Sequence, residues 1–235
     1  MRSWPNSRRF TAFRRIAARS ANGCTGLASA IKKTLLASEI LRPEVAERRK
    51  AWIEVFQPDM SNMLETLVFI DETSLKTNLV KTTGWAPVGR RLVDHAPFGH
   101  WHTQTFIAGL AQDGLIAPWV LDGAMNRASF DTYIERILAP ALRPGQIVVA
   151  DNLSSHKSAR AIDLLRAQGN DLIFLPPYSP DLNPIEMAFS KLKTLIRKVA
   201  ARTYDALWKQ VGKVCDLFLP QECKNYFRAA GYGSD

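Results

Sequence analysis

Apolar residues fall along this chain in short blocks separated by polar turns. From Leu67 onward the blocks read as strands. TLVFIDET is a β-branched run of strand length that ends in acids, which predicts a buried strand. HTQTFIAGL and IAPWVLDG predict two more, and PGQIVVADN and NDLIFLPP a fourth and a fifth. Between these runs the period lengthens to that of helices. NRASFDTYIERILAPAL predicts a helix capped near Asn126 or Ser129 and broken at Pro140. Further helices are expected from about Ser154 to Gln168, from Pro184 to about Arg202, and over about 204–216 and 220–229. Upstream, RPEVAERRKAWIEVF predicts a helix with Pro43 in its first turn and Val45, Trp52 and Phe56 on or near one face. Three strands, a helix, then strand–helix–strand–helix make a mixed α/β layout, in which the two late strands lie parallel.

Composition narrows this. The 235 residues are enough for one ordinary domain with a full core. No run approaches the ~18 apolar residues of a membrane span, so no membrane partner is expected. Cys24, Cys215 and Cys223 are too few and scattered for a disulfide framework and fit a reducing, cytoplasmic setting. The net charge of +9 is uneven. Residues 1–66 carry 12 Lys/Arg against 6 Asp/Glu, and residues 187–235 carry 9 against 4, while the middle carries 10 against 12. Basic flanks favour a polyanion, and the acidic centre between them favours cations. An enzyme that handles nucleic acid with a metal would need both. The first 33 residues hold eight Lys/Arg and no acid. They read as a basic arm for DNA phosphates, with Arg14 and Arg15 among the contacts, or as an organellar transit peptide.

The candidate chemistry lies in three carboxylates. Asp71 ends the apolar run LVFI, and Asp151 ends IVVA. If those strands are parallel neighbours, roughly 4.8 Å apart, their carboxyl ends meet where such sheets gather ligands. Two acids there repel unless a cation sits between them, and Mg²⁺ suits oxygen ligands. Either acid alone reads first as an ordinary strand-end residue, and it is the pair that brings the metal reading level. Glu186 closes LPPYSPDLNPIE, in which four prolines stiffen the approach to a helix. Asn183-Pro184-Ile185-Glu186 also fits a helix start with Asn183 as the cap. On that helix Ile185, Phe189, Leu192, Ile196 and Val199 fall within about 40° of one direction at ~100° per residue, which predicts the core stripe. Glu186, Lys193 and Arg197 share a flank about 100° away, an arrangement that suits Glu186 on a metal and the two cations on DNA phosphates.

DET (71–73), DN with His156, and above all PPYSPDLNPIE (176–186) resemble the catalytic core of DDE transposases of the mariner superfamily, in its bacterial insertion-sequence branch. Thirty-four residues separate Asp151 from Glu186, the spacing of that group. The resemblance covers roughly residues 30–235. It implies a ribonuclease-H-like fold and a triad of Asp71, Asp151 and Glu186 that binds Mg²⁺, with Mn²⁺ able to substitute and two ions expected. It implies DNA cleavage at transposon ends, then attack of the freed 3′-hydroxyl on target DNA, usually at TA. It implies a dimer acting on DNA in a bacterial cytoplasm, associated with the nucleoid.

Around the triad, Glu72, Asn152, His156 and Asn183 are expected to support the metal ligands, Asn183 chiefly as a cap. Their alternative is ordinary turn and helix-start residues. His100 and His102 are read as structural, since no Cys or acid completes a zinc set near them. Trp85 is read first as a loop anchor, with stacking on DNA as the alternative. Residues 1–64 are expected to form a basic segment left from, or linking to, a DNA-binding region, and 65–235 the catalytic domain. About seventy residues before Asp71 are too few for the family's two helix-turn-helix units and a linker. The expectation is therefore a truncated or split transposase. The competing readings are a non-catalytic DNA-binding remnant and another ribonuclease-H-fold nuclease.

Overall fold

The computed structural model describes residues 38–76, 84–93, 103–199 and 203–233. His100, His102, Arg14 and Arg15 lie outside them. A 3₁₀ turn (Ser38–Leu41) leads into α1 (Pro43–Ala51), which passes through a π-helical turn (Trp52–Phe56) into α2 (Gln57–Ser61). Then come β1 (Leu67–Lys76), β2 (Thr103–Ala111) and β3 (Gly114–Asp122). α3 (Arg127–Tyr133) runs on as a second π turn (Ile134–Leu138). β4 (Ile147–Ala150), α4 (Ala159–Ala167), β5 (Asp171–Phe174) and α5 (Ile185–Val199) follow, then α6 (Tyr204–Cys215) and α7 (Pro220–Ala229).

The five strands form one sheet in the order β3-β2-β1-β4-β5. β1, β2 and β3 pair antiparallel, while β1–β4 and β4–β5 are parallel. This is the expected layout. A separate apolar layer packs on each face. On one face Phe69 and Val149 meet Ile185, Phe189 and Leu192 of α5, with Leu207 of α6 and Phe227 of α7. On the other, Val68, Ile70, Val148 and Ala150 meet Phe130, Tyr133, Ile134 and Leu165. The alternation follows from the two-residue period of a strand.

The helix ends follow their sequence signals in part. Asn126 caps α3, its Oδ1 accepting from Ser129 N at 2.9 Å. α4 begins at Ala159, later than the expected Ser154, because residues 152–157 turn back toward the sheet and Ser158 supplies the cap. On α5 the buried stripe is Ile185, Ala188, Phe189, Leu192 and Ile196, whereas Val199 is exposed. Cys223 is buried in α7 and Cys215 half-buried in α6. Trp85 is 90% exposed, so it anchors no loop.

α1 and its π turn pack into the same unit as the sheet. Trp52 Nε1 donates to Tyr232 Oη at 2.9 Å, and Gln57 Nε2 donates to Ala230 O at 2.9 Å. The expected boundary between residues 64 and 65 thus runs through a packed unit. Residues 43–61 are tied to the chain's last turn by buried hydrogen bonds, which an independent segment would lack.

Candidate active site

β1 and β4 are in parallel register, with Leu67 opposite Ile147, Val68 opposite Val148 and Phe69 opposite Val149. The offset is constant, and carried two residues past the last pair it sets Asp71 level with Asp151. Both acids lie two residues beyond Phe69 and Val149, so both point to the face that α5 covers. β1 does not end at Asp71, as the sequence suggested. It runs on to Lys76, pairing with β2 as far as Lys76 opposite Thr103. Asp71 therefore sits mid-strand where the parallel partner has stopped, and the end of β4 leaves room beside it.

α5 brings the third acid. Its first turn, carrying Glu186, lies over the same sheet face, with Ile185 fully buried behind it. Asp71, Asp151 and Glu186 line one cleft of about 380 Å³ together with Asn152, Asn183 and the turn from Pro176 to Pro180.

The two aspartates are each held by hydrogen bonds. Asp71 Oδ1 accepts from Glu72 N at 2.7 Å, and its Oδ2 accepts from Asn183 Nδ2 at 2.9 Å. Asp151 Oδ1 accepts from Leu153 N at 3.2 Å and lies 2.5 Å from His156 Nδ1. Glu72, one residue out of phase with Asp71, turns to the other face. There its Oε2 lies 2.8 Å from His156 Nε2, close enough for an ion pair but without the alignment of a hydrogen bond. His156 thus bridges Asp151 and Glu72, and its ring is buried against Phe130 at 4.6 Å.

The electrostatics follow from this crowding. Burial raises the Asp71 carboxyl well above the usual carboxylate range, and Asp151, Glu186 and Glu72 push it further, against the Glu72 N–H. Partial desolvation also raises Glu186; Lys193 opposes that rise and Asp151 adds to it. Burial alone would lower His156, but its contacts with Asp151 and Glu72 outweigh burial and lift it to about 9. Two acids raised partly by their neighbours are a site short of positive charge. Their oxygens are a hard donor set suited to a divalent cation such as Mg²⁺ or Mn²⁺. The buried Oδ1 of Asn183 has no partner on the same wall. Among the described residues no three His, Cys, Asp or Glu side chains already close around one point, so the triad shares a cleft rather than a finished coordination shell.

Asn183 departs from the cap reading alone. The spacing suited a helix cap, but its side chain reaches across to Asp71 and is itself buried. Asn152 lines the cleft. Lys193 lies near enough to Glu186 to act on its charge. Arg197, one turn further, is half-buried. Two features had no sequence signal. Arg49 of α1 forks onto Asp181 at 2.9 and 2.7 Å and donates to Ser179 Oγ at 2.7 Å, pinning the proline turn. Tyr178, within that turn, has a φ of 55°.

The sequence is 27% identical over 125 residues to the transposable element Tcb1 transposase of Caenorhabditis briggsae, covering 47% of this chain and 46% of that protein. The chain thus spans about half the length of that curated relative. The fold resembles the Mos1 strand transfer complex, with a TM-score of 0.59 and 18% identity over 89% of this chain and 68% of that one. It also resembles the mariner Mos1 paired-end complex with Mg, with a TM-score of 0.56 and 18% identity over 90% and 69%. At that identity the likeness is one of fold, the ribonuclease-H-like arrangement of sheet and flanking helices. The pattern of the DDE superfamily endonucleases matches residues 66–208, and those residues contain all three acids. More than half of the chain carries that pattern on the matching fold, and the chain belongs to the DDE superfamily endonucleases.

Proposed function

We propose that the chain is the catalytic part of a transposase of the mariner superfamily, in its bacterial insertion-sequence branch. The observation that carries this is the meeting of Asp71, Asp151 and Glu186 in one cleft from three separate elements. The PYSPDLNPIE block and the 34-residue gap between Asp151 and Glu186 support the branch. The substrate is DNA, first at transposon ends and then at a target, with TA preferred. The complexes of Mos1 with transposon-end DNA support such a partner, as does the net charge of +9. The acting form is a dimer in a bacterial cytoplasm, associated with the nucleoid. Residues 65–235 carry the chemistry and the upstream basic residues, Arg14 and Arg15 included, hold the DNA.

Asp71, Asp151 and Glu186 would hold Mg²⁺ or Mn²⁺, as two ions. The structures of Mos1 paired-end complexes with Mg and with Mn support that choice. Bound there, divalent ions stabilise the attacking and leaving oxygens of a phosphoryl transfer. The protein's own part is positional. Asn183 fixes the rotamer of Asp71, and His156 fixes that of Asp151 while its far nitrogen faces Glu72. Lys193, beside Glu186, and Arg197 beyond it lie on the flank where a strand's phosphates would run. No side-chain nucleophile is needed, because water and then the DNA's own 3′-hydroxyl attack.

The test is nicking of supercoiled DNA with Mg²⁺ or Mn²⁺. Asp71→Asn, Asp151→Asn and Glu186→Gln should each abolish nicking and leave DNA binding intact. Joined products between a cleaved end and a target plasmid separate a transposase from another ribonuclease-H-fold nuclease. Nicking that survives in all three variants would sink the assignment, and binding without any nicking by the parent protein would favour a non-catalytic DNA-binding remnant.

A further inference from the structure

Tyr178 adopts a left-handed backbone, with φ of 55°. That conformation suits glycine or asparagine and is strained for an aromatic residue. The strain is held from both sides. Ser179, which is buried, accepts from Arg49 Nη1 at 2.7 Å and donates to Pro177 O at 3.1 Å. Asp181 takes the other branch of the Arg49 fork. Pro177 and Pro180 fix φ on either side. Among the described residues Tyr178 joins no aromatic pair and its hydroxyl makes no hydrogen bond, and the residue is 48% exposed. Yet it lines the same cleft as Asp71, Asp151 and Glu186.

A turn that needed only a left-handed residue would be served by Gly or Asn with less strain. An aromatic in that conformation, in a clamped turn that lines the cleft with the acids, points to something outside the fold. We infer that Tyr178 is a substrate-contacting residue, whose ring stacks on the nucleobase beside the phosphate that the carboxylates receive. This rests on the reading of the cleft as a DNA site. Base stacking suits a sequence-tolerant contact, since every base offers a flat face. Arg49 is then a positioning residue that acts through the turn.

The test compares Tyr178→Phe, which keeps the ring, with Tyr178→Asn, which keeps the backbone conformation and removes the ring. The probe is a nicked DNA duplex of arbitrary sequence carrying 2-aminopurine next to the nick, with the full chain and Mg²⁺. The parent and the Phe variant should quench the probe equally. The Asn variant should lose the quenching and bind about tenfold more weakly. Its thermal midpoint without DNA should stay level or rise, because the strain is relieved. Parental affinity and quenching in the Asn variant would overturn the inference. So would a fall in its thermal midpoint that accounts for the lost binding, since Tyr178 would then be a structural residue. Asp151→Asn separates the two layers of the argument. It should not nick, and if it nicks normally the catalytic reading fails while the comparison of Tyr178→Asn with Tyr178→Phe still decides the role of Tyr178.

Discussion

Replacing Arg49 by Gln removes the fork that ties α1 to the proline turn. The Arg49 side chain is 12% exposed and Asp181 44% exposed, so the pair lies between a surface and a buried ion pair. Exposed pairs contribute about 0–1 kcal/mol, and breaking a buried one costs about 3–5 kcal/mol. Ser179 Oγ is buried and would lose its charged donor, while keeping the Pro177 carbonyl. Together these give a loss of about 2 kcal/mol. For a domain of this size that lowers the thermal midpoint by about 4–8 °C. Activity should fall further than stability. The turn leads directly to Asn183, which holds Asp71, and to Glu186, and misplacement by about 1 Å costs on the order of 100-fold in rate. Arg49→Lys keeps the charge but not the fork and should recover little. The measurement is a double-mutant cycle with Asp181→Asn, read by thermal denaturation and by nicking rate at saturating DNA. A coupling below about 0.5 kcal/mol, or full nicking at temperatures where the variant is folded, would refute the clamp.

Three other outcomes follow from the same contacts. In chelator the stability contributed by charged His156 is present below its ordinary value of 6.5 and lost as pH rises through about 9. The thermal midpoint should therefore decline across that window, by up to about 3 kcal/mol in equivalent stability, and His156→Gln should flatten the decline. Asp71 has the same sign for a different reason. Its carboxyl is raised by burial and by neighbouring acids, so ionising it as pH rises through the raised value opposes folding. Asp71→Asn should stabilise the metal-free protein at neutral pH by about 1 kcal/mol, abolish nicking and remove any rise in midpoint on adding Mg²⁺. Gly231 has a φ of +94°, and a Cβ there would come within 2.8 Å of Gln57 Nε2. Gly231→Ala should destabilise by about 2 kcal/mol in urea denaturation, through backbone strain and the displaced Gln57–Ala230 hydrogen bond.

The strands were legible because each is a short apolar run bounded by turn residues, and a buried sheet admits little else. The end of β1 was harder. Thr73 and Leu75 are buried while Ser74 and Lys76 are exposed, an alternation masked in the sequence by the acids before it. The triad was legible from spacing and motif, since all three acids are set by elements the sequence announces. Asn183 shows the limit of local reading. A cap and an amide that reaches across to a strand have the same sequence signature, and only a contact 112 residues away decides between them. Tyr178 and Arg49 lie beyond that limit. A left-handed tyrosine has no residue-type signal, and an arginine in a basic helix gives no hint that one of its neighbours is Asp181. The late start of α4 has the same origin, because His156 is drawn to Asp151 before the helix can begin.

The placement of the two aspartates is a consequence of packing. Phe69 and Val149 must face α5, because the other face is filled by Val68, Ile70, Val148 and Ala150 against α3, its π turn and α4. With a two-residue period, that choice sends Asp71 and Asp151 to the α5 face as well. A slip of one residue in either strand would turn an acid toward the second core and set the apolar side chains of that strand into the wrong layers, so register errors are strongly disfavoured. The apolar residues therefore enforce the geometry of the charged ones. Repulsion among the acids works against this arrangement, and the fold tolerates it because each acid has its own counterpart: the Asn183 amide for Asp71, His156 for Asp151 and, along the same helix, the charge of Lys193 for Glu186. Separate supports around one cleft leave the acids unpaired with one another and lone pairs facing a shared space, Oδ2 of Asp151 among them, which a mutually paired cluster would not.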